Sequence, residues 1–170
     1  MVFSSEADFA AYASALVERI GEALIEKGAS AACAESLTGG LLASEIVRVP
    51  GVSKWFREGC VTYSDAAKEN RLRVDPAVIE AHTAVSRQTA KLMAEGELEA
   101  SGADLAVSTT GLAGPGRDEL GRPAGLVFIG GATEKGSVTK ELRLAGSRLD
   151  IRRSAVCAAL ELMLGLTKNI

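Results

Sequence analysis

The chain has 170 residues, enough to bury one full hydrophobic core, and its hydrophobic content of 47% excludes a largely disordered protein. A formal net charge of −3 argues against electrostatic capture of nucleic acid or of an acidic membrane surface, so any anion must be bound locally. The start of the chain lacks the basic and apolar segments of a signal peptide, and no apolar run is long enough to span a membrane, which predicts a cytoplasmic protein.

Helices and strands are predicted to alternate through the first half of the chain. Apolar residues recur with a 3.6-residue period between a Ser5/Asp8 capping pair and Gly28, which predicts an amphipathic helix. The elements predicted after it are a buried strand over 31–34, a half-buried helix over 41–47, a strand over 59–64 and a short helix over 65–71.

The second half predicts two more helices, three strands and a final helix. They are a helix opened by Asp75-Pro76, a longer helix from Ser86, a strand over 105–109, a loop over 110–122, strands over 126–133 and 138–144, and a helix opened by a Ser147/Asp150 pair. The strand over 126–133 is almost wholly apolar and is expected to be central. This order predicts one domain over 1–170, an α/β fold with a three-layer α/β/α sandwich around a mostly parallel sheet with one antiparallel pair.

The run from Ala34 to Gly40 lies where the first strand is predicted to turn into a helix. Ser36 is expected in the crossing loop, where a hydroxyl can act as a nucleophile or cap the helix. Thr38, Gly39 and Gly40 are expected to offer unpaired backbone N–H groups to a phosphate or a developing oxyanion.

Three loops are expected to share the carboxyl edge of the sheet: 35–40, 63–68 and 110–116. They hold hydroxyls, glycines and one amine, that of Lys68. Lys68 can act as a base only if its surroundings lower its pKa, and a solvated side chain is the alternative.

Other common chemistries are disfavoured by the residue types. His82 is the only histidine and is expected at a helix end or on the surface, so a Ser-His-Asp triad is not predicted. There is no Walker A loop. Cys33, Cys60 and Cys157 are odd in number and widely spaced, which predicts three small buried residues rather than a disulfide framework or a zinc site.

Three motifs in the same order closely resemble the CinA C-terminal domain family. They are AESLTGG at 34–40, VTYSDAAK at 61–68 and TGLAGPGR at 110–117. Further similar segments at 50–53, 84–86, 122–125 and 145–148 extend the resemblance over nearly the whole chain. Enzymatic members of this family are nicotinamide mononucleotide amidohydrolases of the PncC type.

The resemblance implies hydrolysis of the carboxamide of nicotinamide mononucleotide to nicotinate mononucleotide and ammonia, without metal or cofactor. Ser36 matches the nucleophile, Lys68 the base and Tyr63 a tyrosine beside them, although Tyr63 could equally be a core aromatic residue. The positions expected to bind the substrate are Thr38, Gly39, Gly40, Thr110, Gly111 and Arg148. Two near neighbours, Thr109 and Arg152, leave the Thr110 and Arg148 assignments less specific.

The resemblance also implies that the chain forms a homodimer. It implies a small pyridine mononucleotide as the ligand, and no nucleic acid or membrane partner. The large N-terminal domain of longer CinA proteins is absent, so the stand-alone form is expected. Asp65, Leu37 and Thr83 stand where the family often has Asn, Cys and Gly. Asp65 lies one helical turn from Lys68, and close pairing of the two would keep the lysine protonated.

Two other functions remain open on the sequence. The same pocket could hold a nucleotide without turning it over, as a regulatory binding module. Alternatively, the Ala/Leu-rich terminal helix could make the domain a structural oligomerisation unit.

Overall fold

Four helices begin directly after the capping residues predicted from the sequence. The computed structural model describes residues 3–170. The elements are α1 (Glu6–Lys27), β1 (Ala31–Glu35), α2 (Leu41–Val47), β2 (Phe56–Val61), α3 (Asp65–Leu72), α4 (Pro76–His82), α5 (Arg87–Ser101), β3 (Leu105–Gly111), β4 (Leu126–Thr133), β5 (Gly136–Arg143) and α6 (Arg148–Leu166), with short 3₁₀ turns at Val52–Lys54 and Thr167–Asn169. None of these helices has the length and apolar content needed to cross a membrane.

Capping interactions define both ends of α1 and the start of α6, the two longest helices. The Ser5 hydroxyl accepts a hydrogen bond from the backbone of Asp8, and Gly28 ends α1 in the left-handed conformation at φ 62°. Ser147 and Asp150 form a reciprocal capping box at the start of α6. These predicted helix boundaries are confirmed.

The five strands form one mixed sheet in the order β2-β1-β3-β4-β5. β1 pairs in parallel with β2 and β3, whereas β4 is antiparallel to both β3 and β5. The predicted late hairpin is therefore β4 and β5. The strand predicted to be central, β4, is fully buried and interior, but β3 occupies the centre because β5 forms the edge beyond β4.

Helices cover both faces of the sheet, which confirms the predicted three-layer α/β/α sandwich. The main core lies between the sheet and helices α1, α2 and α6. α3, α4 and α5 cover the other face, where smaller clusters surround Met93 and Phe128. In the apolar stripe of α6, Ala155, Ala159, Leu160 and Met163 are buried in the main core, and Leu164 is half-buried against it. The stripe is therefore core packing, and the oligomerisation-unit hypothesis loses the feature on which it rested.

The strand register brings the three predicted loops to one edge. Glu35 at the end of β1 lies opposite Val61 of β2 and Thr109 of β3. The chain therefore leaves β1 and β2 at the same level and β3 two residues later, all at one edge of the sheet. α6 begins at this edge because β5 runs in the same direction. Two predicted boundaries were wrong: β2 lies at 56–61, and β3 continues through Gly111, since it stays paired with β4 to that residue.

Candidate active site

A cavity of about 350 Å³ opens at the carboxyl ends of β1 and β3. Its walls are formed by residues 36–37, Tyr63, Lys68, residues 84–85, residues 110–118 and Arg148. The volume falls within the usual range for small-molecule sites. Six predicted site residues line it, namely Ser36, Tyr63, Lys68, Thr110, Gly111 and Arg148, whereas Thr38, Gly39 and Gly40 do not.

Ser36 lies at the first position after β1. Its backbone N–H donates to the carbonyl of Thr109 at 2.9 Å, which fixes the turn against β3. Its half-buried hydroxyl makes no hydrogen bond with any group of residues 3–170, and the N-cap of α2 is Gly40. Ser36 is therefore not a helix cap, and its hydroxyl is free to react or to bind a ligand.

A buried glutamate already occupies the N-terminus of α2. The Glu35 carboxylate accepts from the backbone N–H groups of Gly40 and Leu42 at 3.0 Å and from that of Ala43 at 2.8 Å. The N–H of Gly39 donates to the Ser36 carbonyl at 3.1 Å. The expectation of unpaired N–H groups is therefore wrong for Gly39 and Gly40, because side-chain and backbone acceptors of the same turn satisfy both.

Within this turn, the backbone N–H groups of Leu37 and Thr38 have no hydrogen-bond partner among residues 3–170. The Thr38 side chain points inward, and its hydroxyl lies 2.7 Å from that of Thr109. The carbonyl of Thr38 accepts from the Arg152 guanidinium. Thr109 and Arg152 thus support the turn from behind, which distinguishes them from the cavity-lining Thr110 and Arg148.

Lys68 lies in the first turn of α3 and is only 1% exposed. Its ammonium or amine nitrogen donates to the carbonyls of Thr62 at 3.0 Å and Tyr63 at 3.3 Å. Burial lowers the pKa of Lys68, because a charged amine loses solvation inside the protein. The solvated side chain considered from the sequence is therefore wrong.

The exposed Asp65 acts in the opposite direction. Its negative charge raises the pKa of Lys68, a smaller effect than that of burial. No ion pair joins Asp65 and Lys68 in the part of the chain that the structure describes. The close pairing that would have weakened a base role is not formed.

Tyr63 lies at the mouth of the cavity and is 62% exposed, so the core-aromatic alternative is wrong. Its main-chain carbonyl contacts Lys68, whereas its hydroxyl accepts a long hydrogen bond of 3.4 Å from Arg148. Arg148 also donates to the carbonyl of Gly114 at 2.6 Å. The first residue of α6 is thereby joined to both the β2–α3 loop and the loop after β3.

The end of β3 forms the floor between these loops. The Thr110 hydroxyl is buried and donates to the Ala84 carbonyl at 2.7 Å, so it anchors the segment before α5. A Cβ at Gly111 would lie 2.7 Å from the carbonyl oxygen of Leu126 and 2.8 Å from the Cα of Val127. Only glycine allows β4 to approach so closely at the cavity floor.

The loop after β3 adds charged residues that the sequence did not single out. Arg117 and Asp118 line the cavity. Asp118 forms a 2.7 Å ion pair with Arg122, which also donates to the Val85 carbonyl at 2.8 Å. These residues were missed because they belong to an irregular loop. Glu35 was missed because its partners lie across the turn, at the start of α2.

The remaining candidates for chemistry lie elsewhere. His82 is exposed at the end of α4, as predicted. Cys33 and Cys157 are buried, but Cys60 is only half-buried, so the prediction of three buried cysteines was wrong for Cys60. Within residues 3–170, no three or more His, Cys, Asp or Glu side chains are grouped to hold a metal ion.

Comparison with known proteins places the chain among relatives of one kind. Residues 13–167 match the CinA C-terminal domain. A protein of Clostridium novyi (strain NT) named competence-damage inducible protein is 44% identical over 146 residues, which cover 86% of this chain but 35% of that protein. The chain therefore spans about a third of the length of the curated relatives it matches.

Solved structures give the same result for the fold. A CinA superfamily protein of Klebsiella pneumoniae matches with a TM-score of 0.88 at 32% identity, covering 93% of this chain and 99% of that one. The competence/damage inducible protein CihA of Agrobacterium tumefaciens matches with a TM-score of 0.87 at 37% identity, covering 91% and 95%. Since the match runs from α1 to the end of α6 and includes every segment that builds the cavity, the chain belongs to the CinA C-terminal domain family.

Proposed function

We propose that the cavity hydrolyses the carboxamide of nicotinamide mononucleotide, with Ser36 as nucleophile and Lys68 as general base. The observation that carries the proposal is a buried amine in the same cavity as a serine hydroxyl that has no hydrogen-bond partner among residues 3–170. The names of the related proteins refer to competence or damage and specify no reaction. The amide substrate follows from the motif resemblance to the PncC-type amidohydrolases.

The surroundings of Lys68 suit a base. Burial lowers its pKa, so a larger fraction of the side chain is neutral near pH 7 than for a solvated lysine. A neutral amine can donate its two hydrogens to the carbonyls of Thr62 and Tyr63 and keep its lone pair for a proton. In this role Tyr63 contributes through its backbone, at the edge of the site.

The proposed reaction proceeds in two halves. Ser36 Oγ attacks the amide carbon while Lys68 Nζ accepts the hydroxyl proton. The C–N bond then breaks, and Lys68 passes that proton to the departing nitrogen, which leaves as ammonia. Water attacks the resulting ester as Lys68 takes a proton from it. That proton returns to Ser36 Oγ, and nicotinate mononucleotide is released.

The oxyanion donor in this proposal is the backbone N–H group of Leu37, which has no partner among residues 3–170 and lines the cavity directly after the nucleophile. The N–H of Thr38 is also unpaired among these residues, but Thr38 is buried and does not line the cavity. A single donor of this kind typically contributes about 2.7–4 kcal/mol to transition-state stabilisation. Gly39 and Gly40 instead shape the turn, while Thr110, Gly111 and Arg148 remain proposed substrate-binding residues.

The proposal includes the setting of the reaction. Residues 1–170 would act as one domain, as a cytoplasmic homodimer that needs neither metal nor cofactor and binds a pyridine mononucleotide rather than nucleic acid. Analytical ultracentrifugation of the purified chain tests the dimer: a protein that remains monomeric at micromolar concentration would contradict it.

The activity is tested by ammonia release from nicotinamide mononucleotide, with and without chelator. Ser36→Ala and Lys68→Met should each abolish turnover, Met being chosen because it fills the buried position of Lys68 without an amine. Ser53→Ala and Lys54→Ala are matched controls at the opposite edge of the sheet and should behave as the native protein. Thermal unfolding of each variant checks that the fold is intact.

Each result has a defined meaning. Turnover that resists chelator and disappears in both active-site variants supports a serine amidohydrolase. Ligand binding without ammonia release would replace the proposal by a catalytically silent nucleotide-binding module. Turnover that persists in Ser36→Ala would exclude Ser36 as the nucleophile.

A further inference from the structure

The phosphate of a mononucleotide needs a site away from the turn at 36–40, which carries the proposed nucleophile Ser36. The start of α2 is the usual place to look, but the Glu35 carboxylate already accepts three backbone N–H groups there. A phosphate at this position would face a buried carboxylate. The cations that hold the phosphate must therefore come from another wall of the cavity.

Two arginines line the cavity, Arg117 and Arg148. Neither forms an ion pair with an acidic side chain of residues 3–170. Arg148 donates to the carbonyl of Gly114, and Arg117 donates to the carbonyl of Gly121. Each guanidinium has five N–H donors, so both keep donors for a ligand while the loop holds them in place.

The segment that carries Arg117 is an ordered hairpin. Asp118 N–H donates to the Arg122 carbonyl at 3.0 Å, and Ala124 N–H donates to the Gly116 carbonyl at 2.9 Å. The Arg122 side chain ties this hairpin to the segment before α5 through the Val85 carbonyl at 2.8 Å. Because the loop is already ordered, placing Arg117 beside a ligand costs little conformational entropy.

The charge balance of this wall favours an anion. Among residues 3–170, Asp118 is the one acidic residue that lines the cavity, and its carboxylate is paired with Arg122 at 2.7 Å. Arg117 and Arg148 are then two uncompensated positive charges beside the same space. Guanidinium groups suit a phosphate because they present parallel donors to its oxygens.

We propose that Arg117 is a specificity-determining residue that binds the substrate phosphate together with Arg148, so that the protein selects a mononucleotide over the corresponding riboside. The inference rests on the proposed function, since it presumes a pyridine mononucleotide in this cavity. It orients the ligand with its carboxamide towards Ser36 and its phosphate towards the hairpin.

The test measures binding and does not require turnover. Isothermal titration calorimetry on Ser36→Ala protein compares nicotinamide mononucleotide with nicotinamide riboside, which lacks the phosphate. Adding Arg117→Gln should weaken mononucleotide binding about tenfold and leave riboside binding unchanged. Arg117→Lys should retain part of the affinity. Arg73→Gln, an exposed arginine at the end of α3, is the matched control and should change neither ligand.

The outcomes separate this inference from the proposed reaction. A loss of mononucleotide affinity confined to the Arg117 variants supports the inference, and a smaller loss at high salt strengthens it. Equal losses for both ligands, or none, would overturn it even if the native protein releases ammonia. If the riboside binds as tightly as the mononucleotide before Arg117 is changed, no phosphate site exists and the inference also fails.

Discussion

Among residues 3–170, two glutamates have no exposed surface at all, and they lie in different regions with different surroundings. Glu35, directly before Ser36, accepts three backbone hydrogen bonds of 2.8–3.0 Å. Glu97, on α5, accepts one hydrogen bond from the Cys60 thiol at 3.1 Å, and its other oxygen has no partner among residues 3–170. The two carboxyl groups are therefore equally buried but accept very different numbers of hydrogen bonds from the protein.

The difference shows that donors, rather than depth, decide what a buried carboxyl can do. Backbone N–H groups replace water around Glu35, so this carboxylate can hold the turn in place. A thiol is a weak donor, and burial raises the pKa of Glu97 to about 7. The negative charge of Glu58 adds to this rise, whereas Arg71 opposes it. Glu97 is therefore a group that titrates near neutrality, away from the cavity.

Replacing Glu35 with Gln is expected to have the largest effect. The new amide group would direct its own N–H donors at backbone donors, so buried groups would lose their partners. We expect the free energy of unfolding to fall by about 4 kcal/mol. Because Ser36 follows directly, we also expect kcat to fall roughly 100-fold with a smaller change in KM. Urea denaturation and steady-state kinetics measure the two effects.

Glu22→Gln is the matched control, because Glu22 is an exposed glutamate on α1. It should leave stability and kinetics close to native values. If Glu35→Gln proved as stable and as active as this control, Glu35 would have no role in positioning the turn.

Replacing Glu97 with Gln should change how stability depends on pH. In the unfolded chain Glu97 ionises near its ordinary pKa of 4.5, whereas in the folded protein it keeps its proton up to about pH 7. Native stability should therefore fall between about pH 4.5 and 7, by about 3 kcal/mol from this group. The Gln variant should lack this loss and be more stable than the native protein at pH 8.

Denaturant unfolding at pH 5 and pH 8 measures this difference. The charged and titratable groups around Glu97, namely Cys60, Glu58 and Arg71, are unchanged in the variant and provide a common background. Parallel stability curves for the native and Gln proteins would show that Glu97 is ionised in the folded state throughout, contrary to the prediction.

The contrast between the two glutamates also marks what sequence reasoning could predict. Caps such as Ser5 and Ser147 act within one helical turn, so their effect is visible in the local sequence. The alternation of helices and strands follows from apolar periodicity in the same way. These local signals were sufficient to predict the layers of the fold and the sheet edge at which the loops meet.

Three features of the candidate site and its surroundings could not be predicted in this way. Glu35 is a strand residue that caps the following helix across a turn, and the pattern of an apolar strand gives no sign of it. The burial of Lys68 depends on how α3 packs against the rest of the protein, and the polar sequence of α3 alone does not show this packing. Thr83 adopts φ +69°, a left-handed conformation that its residue type does not predict. In all three cases the turn geometry and the packing decide the outcome, and neither leaves a mark in the local residue pattern.

A third carboxylate, the exposed Asp65, extends the comparison to the surface and should have the smallest effect. Its charge raises the pKa of Lys68, so Asp65→Asn should lower that pKa further. If neutral Lys68 is the base, activity rises with pH as Lys68 loses its proton, and the rise in the Asn variant should move to lower pH. Solvent screens the exposed Asp65, so we expect only a small shift, which becomes smaller still at high salt. The pH profile of kcat/KM measures it against Asp75→Asn, a change at the exposed cap of α4. A shift to higher pH, or an equal shift in both variants, would mean that the pH dependence does not report the proton on Lys68.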